Sequence, residues 1–333
     1  NFDDRSWNVV STPHTIELMP AEGSGCRNYQ GPAWYRKHFV LPAETKGQRV
    51  VLHFEAAMGK QILYLNGKRI QEHLGGYLPF TLDLTANGVQ AGDSCLLAVF
   101  TDNSDDKSYP PGKRQYTLDF AYHGGIYRDV WMIAKSPVAI TDAIDSQTVG
   151  GGGVFVHFDK ISEKSAQVYV NTEVQNDDAR FESVTVETTL TDADGKVIKR
   201  SSGKLSLKPG EKKSIRQQME VKNPTLWSPD TPYLYKVQSR IKKGNKSIDG
   251  GITRVGIRLA EFRGKDGFWL NGKPFGQLVG ANRHQDFAYV GNALPNSQQW
   301  RDAKRLRDAG CTIIRVAHYP PVSYTHLTLP TIR

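Results

Sequence analysis

With 333 residues the chain is long enough for two or three domains, and 38% apolar residues, including 13 Phe, 14 Tyr and 6 Trp, supply real cores and exclude a disordered chain. No apolar run approaches the roughly 20 residues of a membrane helix, and three cysteines, at 26, 95 and 311 with no CxxC, argue against a disulfide scaffold or a structural zinc site. The net charge of +9 is scattered along the chain, and its densest cluster, Lys242-Lys243-Gly244-Asn245-Lys246, reads as a hairpin tip rather than a nucleic-acid patch.

The first third is strand-rich. Strands are expected over residues 34–41, 49–55, 61–65, 95–101 and 128–134, where aromatic and β-branched residues alternate with polar ones. Asn66-Gly67 is a type I′ hairpin signal. Short strands broken by Gly, Asn and Pro turns indicate an antiparallel sandwich over 1–137.

After Ser136-Pro137 a second strand set begins. Residues 167–174, 183–191, 196–201, 214–221 and 233–241 fit a smaller sandwich over 138–257, with turns at Asp194-Gly195 and Pro209-Gly210. This size and spacing suit an immunoglobulin-like fold.

The pattern changes after Arg258. Residues 268–270 and Asn271-Gly272 make a short hairpin, and 275–280 read as a buried strand. A helical period at Trp300, Ala303, Leu306 and Ala309 predicts a helix over 297–309, with Asn296 as N-cap, Gln299 at N3 and Gly310 as the stop. A strand over 312–316 completes a βαβ unit over 258–321, which spacing alone allows to begin either a barrel or a doubly wound sheet. The chain starts at Asn1 rather than Met, as if inside a domain, and localisation is left open. Residues 322–333 lack an amphipathic period and resemble a translated sequencing adaptor, so they are expected to stand outside the fold.

Several motifs then fall into one order. Gly280-Ala281-Asn282-Arg283-His284-Gln285-Asp286 resembles the first-strand motif of the barrel of family 2 glycoside hydrolases. Ile314-Arg315-Val316-Ala317-His318-Tyr319-Pro320-Pro321 resembles their second-strand motif. Gly124-Gly125-Ile126-Tyr127-Arg128-Asp129-Val130 is similar to the end of their N-terminal sandwich, and Phe2-Asp3-Asp4-Arg5-Ser6-Trp7 with Pro13-His14 to its opening. Leu226-Trp227-Ser228-Pro229-Asp230 and Val255-Gly256-Ile257-Arg258 resemble the second domain. The resemblance covers residues 1 to 321 and implies a jelly-roll sugar-binding sandwich, an immunoglobulin-like sandwich and the first two βα units of a (β/α)8 TIM barrel.

The family's retaining exo-glycosidases use two glutamates after later barrel strands. Both are therefore expected beyond Pro321, no Asp or Glu in 258–321 matches them, and this chain alone is expected not to turn over substrate. The resemblance gives His284 and His318 to the hydroxyls of the non-reducing sugar, because neutral imidazole offers one donor and one acceptor. It gives Arg315 to the nucleophile carboxylate through charge-assisted hydrogen bonds. Asn282 and Arg283 either touch sugar or fix their loop. Asp119 either reaches the barrel mouth, contacting sugar and a sodium ion, or caps a turn. Magnesium and sodium are the ions the resemblance brings to the whole enzyme, with a β-galactoside or glycan as substrate, a homo-oligomer as the assembly, and neither nucleic acid nor a membrane span.

The stretches His284-Gln285-Asp286-Phe287 and Gly291-Asn292-Ala293-Leu294-Pro295 resemble bacterial β-galactosidases more than glucuronidases. The alternatives are a β-glucuronidase or β-mannosidase of the same family, or a non-catalytic carbohydrate-binding protein of two sandwiches. A dinucleotide-binding βαβ unit is disfavoured, since no Gly-rich fingerprint follows residues 275–280. Two strands of an eight-stranded barrel leave an open edge, so residues after about 260 are expected to be poorly packed and protease-sensitive.

Overall fold

A computed structural model describes residues 3–18 and 28–321; Cys26 and the adaptor-like residues 322–333 lie outside the described residues. The chain forms two compact units. The first takes residues 3–134, 281–305 and 314–321, and the second takes 135–280 and 306–313.

The first unit is a sandwich of seven strands: β1 (Pro32–Val40), β2 (Arg49–Phe54), β3 (Lys60–Leu65), β4 (Lys68–Leu74), β5 (Phe80–Asp83), β6 (Ser94–Asp102) and β7 (Val130–Lys135). One sheet has the order β1-β6-β3-β4 and the other β5-β2-β7. The two-residue period explains the packing. Leu63 and Leu65 of β3 and Leu97 and Val99 of β6 point inward and meet Leu52, Phe54, Phe80 and Leu82 of the other sheet in one core. Each such side chain contributes about 1.5–3 kcal/mol by leaving water. Asn66 and Gly67 both have positive φ, 51° and 82°, as a type I′ turn requires.

The second unit holds β8 (Val138–Ile140), β9 (Val154–Asp159), β10 (Ser165–Asn176), β11 (Glu182–Thr191), β12 (Val197–Leu207), β13 (Lys212–Lys222), β14 (Tyr235–Lys243) and β15 (Lys246–Val255). One sheet runs β13-β10, with β8 and β9 sharing the other edge of β10; the second runs β12-β11-β14-β15. Ala166, Val168, Val170 and Val174 of β10 are fully buried, while Gln167, Tyr169 and Asn171 alternate outward. The basic cluster at 242–246 is the β14–β15 hairpin tip, with Gly244 at φ 58°. A small hairpin sheet follows in β16 (Ala260–Phe262), β17 (Phe268–Leu270) and β18 (Lys273–Pro274).

The βαβ unit consists of β19 (Gly280–Arg283), α1 (Asn296–Asp308) and β20 (Ile313–Val316). The amide of Thr312 donates to the Val279 carbonyl and that of Ala317 to the Arg283 carbonyl. The two partners advance together, so β19 and β20 run parallel. The fold is thus a jelly-roll sandwich, an immunoglobulin-like sandwich and the start of a TIM barrel.

Four expectations need correction. Residues 275–279 are not a buried strand: the Phe275 amide closes the preceding hairpin on the Phe268 carbonyl, Gly276 takes φ 90°, and Val279 is exposed. Asn296 is not the N-cap but the first helical residue, and its side-chain amide donates to Asp129 at 3.2 Å. The helix buries Gln299 and Ala303, an i, i+4 pair, whereas Trp300 and Ala309 are exposed. Finally, loose packing beyond residue 260 suits Phe262, Val279 and Ile313, which are exposed, but not Gln285, Asn292, Ala293 and Tyr319, which are buried. Gly310 does stop the helix, at φ 85°.

Candidate functional site

Parallel strands release their following residues at the same end, and here β19 leads into His284 and β20 into Ala317-His318. The two imidazoles meet with ring centroids 5.3 Å apart, nearly edge to face at 81°. Phe120, from the loop before β7, lies against both: it stacks on His284 at 5.7 Å and touches His318 at 5.9 Å. The His318 side chain is 28% exposed, and its Nε2 is 3.9 Å from the carboxylate of the open Asp119. His284 Nδ1 is buried and lacks a partner among the described residues. The structure therefore gathers His284, His318 and Asp119 around one aromatic ring.

The floor beneath is aromatic and closed. Tyr319 stacks on Tyr77 at 4.7 Å and packs against Phe120 at 5.5 Å. Its hydroxyl accepts the backbone N–H of Gln285 at 3.0 Å. Burial pushes the phenols of Tyr77 and Tyr319 well up from their ordinary range, so both stay neutral donors. Behind the β19 loop, Asn292 Oδ1 accepts from the His123 amide at 2.9 Å and contacts His123 Nδ1 at 2.8 Å, and Asn292 Nδ2 donates to the Gln285 carbonyl at 2.8 Å. His123 is 3% exposed, and burial lowers its pKa. Gly291, at φ 53°, leaves no room there: a Cβ would stand 2.5 Å from the His123 ring.

The other candidate residues go elsewhere. Arg283 is buried and donates to Asp302 on α1 at 2.7 Å, while Gln298 donates to the other oxygen of that carboxylate. Asn282 and Arg315 are exposed, and neither side chain hydrogen-bonds or ion-pairs among the described residues. Among the described residues no group of three His, Cys, Asp or Glu side chains that could hold a metal ion occurs. Asp119 itself stands open, with one exposed carboxylate.

Sequence reasoning missed Phe120, Tyr77, Gln285, Asn292 and Arg128 as parts of this cluster. Arg128 is 4% exposed; Nη1 donates to the Tyr77 carbonyl at 3.1 Å, and Nη2 donates to the Pro320 carbonyl at 2.7 Å and to Gln285 Oε1 at 3.3 Å. The usable signal was its place in the Gly-Gly-Ile-Tyr-Arg-Asp run, treated above only as a marker of the sandwich's end.

Comparison with known proteins agrees along the chain. The model of the "Glycosyl hydrolases family 2, sugar binding domain" matches residues 3–137. "Glycosyl hydrolases family 2" matches 152–258, and "Glycosyl hydrolases family 2, TIM barrel domain" matches 262–327. A β-galactosidase of Thermoanaerobacter pseudethanolicus is 33% identical over 96% of this chain, which covers 41% of that protein. A β-glucuronidase of Formosa agariphila is likewise 33% identical over 96% of the chain, covering 33% of that protein. Among solved structures, a putative β-galactosidase from Bacteroides fragilis superposes with a TM-score of 0.90 at 31% identity, over 99% of this chain and 48% of that one. Bacteroides uniformis β-glucuronidase 2, covalently bound to cyclophellitol-6-carboxylate aziridine, gives 0.88 at 30%, over 99% and 38%. The chain thus spans a third to two fifths of the length of these two curated relatives.

Proposed function

The chain belongs to family 2 of the glycosyl hydrolases, and from that premise we propose that its first unit carries the hydroxyl-reading part of a β-galactosidase-like site. The whole enzyme then removes terminal β-D-galactosyl residues with retention. The observation that carries this reading is the meeting of His284, His318 and Asp119 around Phe120. Two imidazoles and a carboxylate offer donors and acceptors to neighbouring hydroxyls, and an aromatic floor suits the apolar face of a pyranose. A carboxylate beside His318 disfavours an anionic sugar, because like charges at short range repel. That supports a neutral hexose over a uronate.

Retaining hydrolysis needs two carboxyl groups about 5 Å apart. Residues 262–321 contain no glutamate, and Asp302 in that stretch is held by Arg283. We place the pair beyond Pro321 and assign Arg315, whose exposed side chain has no partner among the described residues, to steady the nucleophile.

A second reading, a β-glucuronide, draws on the same Arg315, an uncommitted cation that suits a uronate carboxylate. Saturation-transfer NMR of the chain with galactose and with glucuronate separates the two. Galactose signals that vanish in His318→Ala support the first; glucuronate signals that vanish in Arg315→Ala support the second. Saturation of neither sugar removes the reading of this cluster as a sugar site.

A further inference from the structure

Among the described residues Arg128 is a buried cation without a carboxylate partner. Among the described residues its acceptors are all neutral: the carbonyls of Tyr77 and Pro320 and the side-chain oxygen of Gln285. The guanidinium carbon lies 5.1 Å from the centroid of the Tyr127 ring, and Nε is buried and unpaired. Burying a charge in this way costs stability, and an apolar residue of similar volume often serves a core as well or better. The arrangement therefore calls for a reason other than stability.

The acceptors supply one. Gln285 follows His284, and Pro320 stands two residues after His318. Tyr77 carries the ring on which Tyr319 stacks. One guanidinium therefore holds the chain just past each histidine, and the floor beneath both. Asp129, the next residue, accepts from Asn296 at the start of α1. The loops after β19 and β20 are thus referenced to one point of the sandwich. A lysine cannot reproduce this, because an ammonium is a point donor while the guanidinium is a planar fork that serves several fixed acceptors at once.

We propose that Arg128 is a positioning residue that sets the His284–His318 spacing and so the geometry in which hydroxyls are read. The functional half rests on the sugar-site reading given above; the spacing half does not. The test compares Arg128→Lys with Val99→Ala, a sandwich-core substitution chosen to lower the melting temperature without touching the site. Two readouts are taken by NMR: the Overhauser contact between the two imidazole rings, and saturation transfer to galactose. Arg128→Lys is expected to lose the ring contact and to weaken galactose binding at least tenfold, while Val99→Ala keeps both. Retention of the ring contact in folded Arg128→Lys overturns the proposal. Should Arg128→Lys not fold, Gln285→Met, which removes one acceptor, decides by the same readouts: a weakened ring contact supports the proposal and an unchanged one overturns it. If the unsubstituted chain shows the ring contact but binds no galactose, the sugar reading fails while the spacing test still stands.

Discussion

The backbone amide of Gln285 donates to the hydroxyl of Tyr319 at 3.0 Å, tying the loop after the first barrel strand to the loop after the second. Both residues are buried, so no water replaces the oxygen if it is removed. Tyr319→Phe keeps the ring stacked on Tyr77 and leaves the amide unsatisfied, a loss of about 1–3 kcal/mol. Urea unfolding followed by tryptophan fluorescence measures it. A change within a few tenths of a kcal/mol means that the bond carries little of the loop's order.

Arg283 and Asp302 should respond unequally. Asp302→Ala strips the partner from a buried guanidinium whose Nε and Nη1 have no partner among the described residues, and about 3 kcal/mol of stability should go with it. Arg283→Met replaces the cation with apolar volume and should cost far less. Equal losses in the two variants, read from chemical denaturation, contradict this account.

Alkali should weaken the first unit. Burial pushes the phenols of Tyr127 and Tyr35 up to about 12. An unfolded tyrosine releases its proton near pH 10. Between about pH 10 and 12 the unfolded state therefore binds fewer protons than the native one, and stability falls as pH rises. The buried Tyr127 alone accounts for about 2–3 kcal/mol across that window. Phenolate absorbance and circular dichroism recorded together check it: ionisation of these tyrosines should coincide with unfolding rather than precede it.

Gly291→Ala should damage the β19 loop. The position has φ 53°, and the added methyl meets the His123 ring at 2.5 Å. The loop and the ring cannot both stay, so the Asn292 clamp opens and galactose binding weakens. Ser297→Ala, exposed on the neighbouring helix, is the control that should leave binding unchanged.

Much of the sandwich was legible because its strands obey a period of two and their turns use residues suited to positive φ. β10 shows why, with Ala166, Val168, Val170 and Val174 buried and Gln167, Tyr169 and Asn171 facing out. β4 and β5 were not legible: Lys68–Leu74 is an edge strand of mainly polar, partly exposed residues, and Phe80–Asp83 has only four positions. In the site, motif resemblance pointed to His284, His318 and Asp119, which the structure draws together. It also pointed to Arg283, which faces α1. Arg128 escaped because its acceptors are two main-chain carbonyls and an amide. Neutral acceptors leave no charge pattern in a sequence, and they come from three distant stretches of chain.

Asn292 has a further consequence for its neighbour. A carboxamide oxygen only accepts, so the imidazole nitrogen facing it, Nδ1 of His123, must carry the hydrogen. The tautomer of a buried ring is thereby written by the closed loop, and the same oxygen also holds the ring's own main-chain amide. In a nitrogen-15-enriched chain the nitrogen chemical shifts of His123 thus form a built-in gauge of loop closure, readable without ligand chemistry at the sugar-facing histidines: one tautomer while Asn292 is seated, a mixture of two once it departs.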